Sequence, residues 1–152
     1  MKHVSIGKEM FVRNRERLAK LMKPNSIAIF NANDVMPTNA DGTMGFRQNN
    51  DLFYLSGIGQ EETVLVLAPD FPDPKLRELL FVRETSDLIA VWEGAKLTKD
   101  QAREASGVTA VHWADRFLPL LPVLLAECDT VYLNSNEHTR AVVEEETRDT
   151  RF

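Results

Sequence analysis

The run Thr63-Val64-Leu65-Val66-Leu67-Ala68 constrains this chain most, because every position after Thr63 is apolar. A strand without polar alternation has both faces covered, so this run is expected at the centre of a sheet. Pro69-Asp70-Phe71-Pro72-Asp73-Pro74 follows as a turn, with Asp70 and Asp73 as turn formers. Glu78 to Val82 is a further apolar strand, so 63–82 reads as a hairpin. The sheet is therefore mixed and not purely parallel.

The other elements interleave around that hairpin. Residues 5–22 form a helix, with Phe11, Leu18, Leu21 and Met22 near one face. Ser5 is placed to cap it, and Lys23-Pro24-Asn25 stops it. Ser26-Ile27-Ala28-Ile29-Phe30 is a short buried strand, and residues 31–46 form a long loop. Leu52-Phe53-Tyr54-Leu55 reads as a strand ended by Ser56-Gly57, and Ile89-Ala90-Val91-Trp92 as a short edge strand. Thr98-Lys99-Asp100-Gln101 matches a capping box, with the helix running to about Ala105 and ending at Gly107. Thr109 to His112 is a strand. Asp115 is placed to cap a helix carrying Phe117, Leu118, Leu121, Leu124 and Leu125. Pro119 is tolerated in its first turns, and Pro122 is expected to bend or restart it. Thr130-Val131-Tyr132-Leu133 is the last strand, and the chain from Asn136 is acidic and helix-like. Strands alternating with helices in 152 residues predict a single α/β domain, a mixed sheet flanked by helices. No internal boundary is visible, and the end at Arg151-Phe152 reads as a cut through a helix.

Several functions are disfavoured by the residues. A formal net charge of −5 lacks the basic face that nucleic-acid binding favours. The single cysteine, Cys128, cannot form an internal disulfide, so a reducing, cytoplasmic setting is expected. No segment has the pattern of a signal peptide, and the apolar stretch 117–126 is too short to span a bilayer. His3, His112 and His138 each lack a second His or Cys within a few residues, so the usual spacing of a zinc site is missing and a satisfied or solvated histidine is the expected role of each. No Gly-x-Ser-x-Gly elbow occurs, and Cys128 stands between acids that raise a thiol pKa. Gly57-Ile58-Gly59 is followed by Glu61-Glu62, which would repel phosphate. Glu144-Glu145-Glu146 is a solvated helix face.

One dense polar and aromatic stretch remains: Phe46-Arg47-Gln48-Asn49-Asn50-Asp51-Leu52-Phe53-Tyr54-Leu55-Ser56-Gly57. Arg47 and Asp51 are spaced to pair, and Gln48, Asn49 and Asn50 can bond loop backbone. The stretch is either a polar lock that fixes the long loop or a ligand-facing patch. It resembles the signature of the N-terminal domain of the Xaa-Pro aminopeptidases (aminopeptidase P), with Asn50 and Ser56 as mild departures. Gln60-Glu61, the run 63–68, Phe81-Val82-Arg83 and Val91-Trp92-Glu93-Gly94 stand in the expected order.

The resemblance implies the N-terminal fold shared with creatinase and prolidase. It implies that residues 1–152 are a non-catalytic domain whose catalytic partner, a C-terminal "pita-bread" domain, is absent from this chain. In that domain two Asp, one His and two Glu hold two metal ions, commonly manganese. No position here matches them, so no catalytic, metal or cofactor residue is carried over. The intact protein is expected to release the first residue of peptides with proline second. This domain is expected to supply homo-oligomer contacts and closure of the substrate channel, inactive by itself. Trp92 matches a tryptophan that in some members reaches a neighbouring subunit's active site. Arg47, Gln48, Asn49, Asp51 and Tyr54 match the signature and are expected to hold the domain together. Partners are then its own catalytic domain, further copies and a peptide substrate, with no nucleic acid or membrane. A free-standing peptide-binding module, or the N-terminal domain of a prolidase or creatinase, stays open as an alternative.

Overall fold

The computed structural model describes residues 6–134, and within them every side chain except those of Trp92 and Glu93. The strands are β1 (Ser26–Asn31), β2 (Val64–Leu67), β3 (Glu78–Val82), β4 (Ala110–Trp113) and β5 (Thr130–Leu133). They form one sheet in the order β4-β3-β2-β1-β5. β2 pairs antiparallel with both β1 and β3, whereas β1/β5 and β3/β4 are parallel. The apolar run is thus the middle strand of a mixed sheet, as its lack of polar alternation requires. Leu65 lies opposite Phe30 on one side and Leu80 on the other.

The helices are α1 (Lys8–Ala19), α2 (Asn50–Ser56), α3 (Asp87–Glu93), α4 (Lys99–Ser106) and α5 (Phe117–Leu125). Alternate β2 side chains enter opposite layers. Leu65 and Leu67 join Leu52 and Leu55 of α2 and Ala102 of α4. Val66 joins Ile27, Ile29, Phe81 and Leu124 of α5. The helices therefore cover both faces of the sheet. Thr98 forms both capping-box bonds with Gln101, at 3.2 and 2.9 Å, and Gly107 closes α4 in the left-handed region at φ 75°.

Two expected strands are helices. Leu52–Leu55 belongs to α2, because Asn49 caps its first turn and Gly57 ends it at φ 70°. Leu52, Leu55 and Ser56 are buried while Phe53 and Tyr54 face outward, which is helical spacing. Ile89–Trp92 belongs to α3, because the Ser86 hydroxyl accepts from the Ile89 N–H at 3.2 Å and Gly94 stops the turn. In both places capping chemistry outweighs the β-propensity of the aromatic and β-branched residues. Asp115 does not cap α5: it lies in a 3-10 turn, Ala114–Arg116, and α5 starts without a side-chain cap. Pro122 sits inside α5 and the helix runs through it, closing with an Ala126 N–H to Pro122 carbonyl bond of 3.1 Å. The helix expected over 5–22 is shorter, and its expected cap, Ser5, lies outside the described residues, as does the helix expected from 136 onward.

One buried charge joins the helical layer. Arg15, on α1, is 1% exposed. Its Nη1 donates to the Leu55 carbonyl at 2.8 Å and to the Ser106 carbonyl at 3.0 Å. Its Nε donates to Glu78 at 3.2 Å. The carbonyls belong to the last turns of α2 and α4, where helix dipoles present partial negative charge. Those two ends are built alike. Ser56 bonds the Leu52 carbonyl and accepts from the Ile58 N–H; Ser106 bonds the Ala102 carbonyl and accepts from the Val108 N–H. Each serine is followed by a left-handed glycine over which α1 passes. A Cβ on Gly57 would stand 2.3 Å from the Phe11 ring, and one on Gly107 would stand 2.7 Å from Val12.

Arg15→Met is expected to destabilise the domain by about 3 kcal/mol, since it strands two buried carbonyls. Glu78→Gln, at a side chain 40% exposed, is expected to cost at most about 1 kcal/mol. Urea denaturation midpoints of the two variants check the order.

Candidate functional site

The signature segment divides into side chains that turn inward and side chains that turn outward. Gln48 donates from Nε2 to the carbonyls of Ile58 at 3.1 Å and Gln60 at 2.7 Å. Its Oε1 accepts from the Asn49 N–H at 2.8 Å. Gln48 thereby ties the entry of α2 to the segment that leaves it. Asn49 Oδ1 accepts from the N–H groups of Asp51 at 3.0 Å and Leu52 at 3.2 Å, satisfying donors that a helix start leaves open. Asn33, in the long loop, donates to the Arg47 carbonyl at 3.0 Å.

The side chains of Arg47, Asp51 and Tyr54 are exposed. The expected Arg47–Asp51 pair does not form. Arg47 precedes the cap and lines a hollow with Asn33, Asp34, Met36 and Met44. Asp51 sits in the first turn of α2, near the positive helix end, and lines a different hollow with Arg17, Leu18 and Tyr54. Tyr54 joins the inner structure through its backbone, whose carbonyl accepts from Asn14 Nδ2 at 2.8 Å. Trp92 lies in the last turn of α3, and its side chain is outside the described ones.

Beyond the segment, Gln60 and Glu61 clamp the chain that leads into α4. Gln60 Oε1 accepts from the Leu97 N–H at 2.8 Å, while its buried Nε2 has no partner among the described residues. Glu61 pairs with Lys96 and with Arg83, and Arg83 also reaches Glu62 at 3.2 Å. Burial pushes the Glu61 carboxyl up, but the Lys96 hydrogen bond and the Lys96 and Arg83 charges outweigh it and hold it below the ordinary 4.5. Arg15 and this clamp were not singled out from the sequence. The paired tetrads Leu55-Ser56-Gly57-Ile58 and Ala105-Ser106-Gly107-Val108 were the available signal for the former.

The chemically versatile groups are scattered. His112 lies on β4 with its ring 5.6 Å from that of Phe81. Burial lowers its pKa below 6.5, aided by the charges of Lys99, Arg116 and Arg103. Burial and the Asp129 charge raise the Cys128 thiol pKa, away from the thiolate form. Among the described residues no three His, Cys, Asp or Glu side chains come together to hold a metal. His3 and His138 lie outside those residues. No described helix is long and apolar enough to cross a membrane. The arrangement can hold a rigid surface.

A histidine that is harder to protonate when folded loses stability on acidification. The unfolded chain takes up the His112 proton first, so stability is expected to fall as pH drops below about 6.5. The Glu61 contribution is present above 4.5 and is lost as pH falls through its depressed folded value. His112→Gln is expected to flatten the first slope and leave the second, as read by urea midpoints across pH.

Comparison with known proteins agrees with this geometry. The family described as "Aminopeptidase P, N-terminal domain" matches residues 11–132. The Xaa-Pro aminopeptidase of Escherichia coli (strain K12) is 32% identical over 138 residues, covering 91% of this chain and 31% of the relative. The solved aminopeptidase PepP of Pseudomonas aeruginosa superposes with a TM-score of 0.79 at 30% identity, covering 89% of this chain and 30% of that one. A Bacillus anthracis structure described as a putative aminopeptidase P superposes at 0.81 with 22% identity, covering 96% of this chain and 34% of that one, which speaks to the fold. This chain spans about a third of the length of these relatives. The match over residues 11–132, with the superposition of its mixed sheet on a relative 30% identical to it, places the chain in the aminopeptidase P N-terminal domain family.

Proposed function

We propose that the chain is the N-terminal, non-catalytic domain of a Xaa-Pro metallo-aminopeptidase. The observation that carries this reading is the family match over residues 11–132 in a chain spanning about a third of its Xaa-Pro aminopeptidase relatives. The described residues do not fit the two manganese ions of the expected chemistry, since no set of three ligating side chains converges. Those ions belong to a further C-terminal domain. What this domain supplies is a fixed surface. The Gln48-Asn49 lock and the Arg15 tie hold α2 rigid, and rigid elements position a site better than loops do. In the intact protein the domain takes part in homo-oligomer contacts and substrate-channel closure, with Trp92, in the last turn of α3, as the channel residue. The setting is cytoplasmic and the substrate a peptide with proline second.

Hydrolysis of a short Xaa-Pro peptide with added manganese tests the reading, comparing the 152-residue chain with the full-length product of its coding region. Activity is expected in the longer product alone. Activity in the short chain, or in neither, overturns it, and the second result favours a binding module. In an active longer product, Trp92→Ala is expected to lower kcat/KM by about tenfold, one contact's worth, with metal content unchanged.

A further inference from the structure

An open apolar groove runs along the sheet face that carries α1 and α2. Two adjoining hollows, of about 340 and 290 Å³, share Leu18, Leu21, Phe30 and Asp51. Leu21 is 83% exposed, Tyr54 52% and Leu133 66%. Apolar side chains grouped in this way at a surface mark an interaction site. The rim is polar and unengaged: among the described residues the side chains of Arg17, Asp51 and Tyr54 make no hydrogen bond or ion pair. An apolar floor with a polar rim is the anatomy of a protein interface.

The chain itself indicates what occupies the groove. Asn134 lines it. The Asn134 side chain is bonded twice to the backbone of Asn31, accepting at 3.1 Å and donating at 3.1 Å. The last described residue is thus fixed in the groove's wall. β5 is also an edge strand. In the relatives about two thirds of the length lies outside the region matched here, and the match is to an N-terminal domain.

We propose that this groove seats the C-terminal body of the longer protein. That body contributes an apolar ridge to the floor, a carboxylate opposite Arg17 and a hydrogen-bond donor opposite Asp51. Belonging to the same polypeptide makes the contact intramolecular, so a shallow groove suffices where free partners would need a larger one. The signature's outward residues Asp51 and Tyr54 then orient the two bodies, while Gln48 and Asn49 hold α2 in place for them. The inference rests on the reading that a catalytic body follows.

Hydroxyl-radical footprinting of the 152-residue chain against the full-length product of its coding region tests it. Leu21, Tyr54 and Tyr132 are expected to label at least about fivefold more slowly in the longer product, as side chains in an interface core do. Leu118 and Val123 of α5, exposed on the opposite face of the sheet, are expected to label equally in both. Leu21→Lys is expected to leave the short chain's urea midpoint unchanged and to restore Tyr54 labelling in the longer one. Equal labelling of the groove in both proteins overturns the proposal. So does protection confined to α5, or a coding region that closes at Phe152. Peptide hydrolysis by the same longer product separates the two readings. Hydrolysis with an unprotected groove sinks the docking alone, and a protected groove without hydrolysis sinks the peptidase reading alone.

Discussion

The helical layer depends on one buried guanidinium. Arg15 reaches the carbonyl ends of α2 and α4 together, and its remaining charge meets Glu78 at the start of β3. A cation among helix C-terminal carbonyls is favourable because the dipoles converge on it. Burial is tolerable only because those acceptors sit at fixed positions. The positions are fixed by the two Ser-Gly turns, whose hydroxyls bond backward and forward along the chain. Both glycines lack the Cβ that would strike α1. Three helices distant in sequence are thereby set by one side chain and two turns.

That rigidity gives the signature segment its division of labour. Gln48 and Asn49 are spent on backbone: one bridges the entry and exit of α2, the other caps it. With its backbone satisfied, the helix can present Asp51 and Tyr54 outward without cost to its own stability. A polar lock and an outward patch are thus both present in the segment, on different residues. The remaining ionic cluster, Glu61 with Lys96 and Arg83, braces the approach to α4 in the same manner. Its carboxylate stays ionised because cations flank it, which suits a brace and not a proton donor.

The parts legible in the sequence were those governed by local chemistry. The capping box at Thr98, the proline turn after Ala68 and the apolar run of β2 need no distant information. Leu52–Leu55 and Ile89–Trp92 carried two opposing signals. Their aromatic and β-branched side chains favour strand, while Asn49 with Gly57 and Ser86 with Gly94 mark short helices. The caps prevailed because each satisfies otherwise open backbone donors, worth about 1 kcal/mol per cap, whereas β-propensity has value only beside a pairing strand. In the parallel outcome at Asp115, a plausible cap was displaced by a 3-10 turn. The Arg47–Asp51 pair failed for a related reason: once α2 begins at Asn50, the two side chains line separate hollows.

The chain's order of residues by itself determined a mixed α/β domain with β2 at its centre, because an unbroken apolar run can be satisfied only with both faces covered. It also carried the family signature, because that is a matter of residue order alone. Only the tertiary structure decided that Arg15 is the hub, since its acceptors lie 40 and 91 positions away. The groove beside Asn134 was likewise decided by the fold. Its walls come from α1, α2, β1 and β5, and their approach follows from sheet pairing and packing that no local pattern encodes.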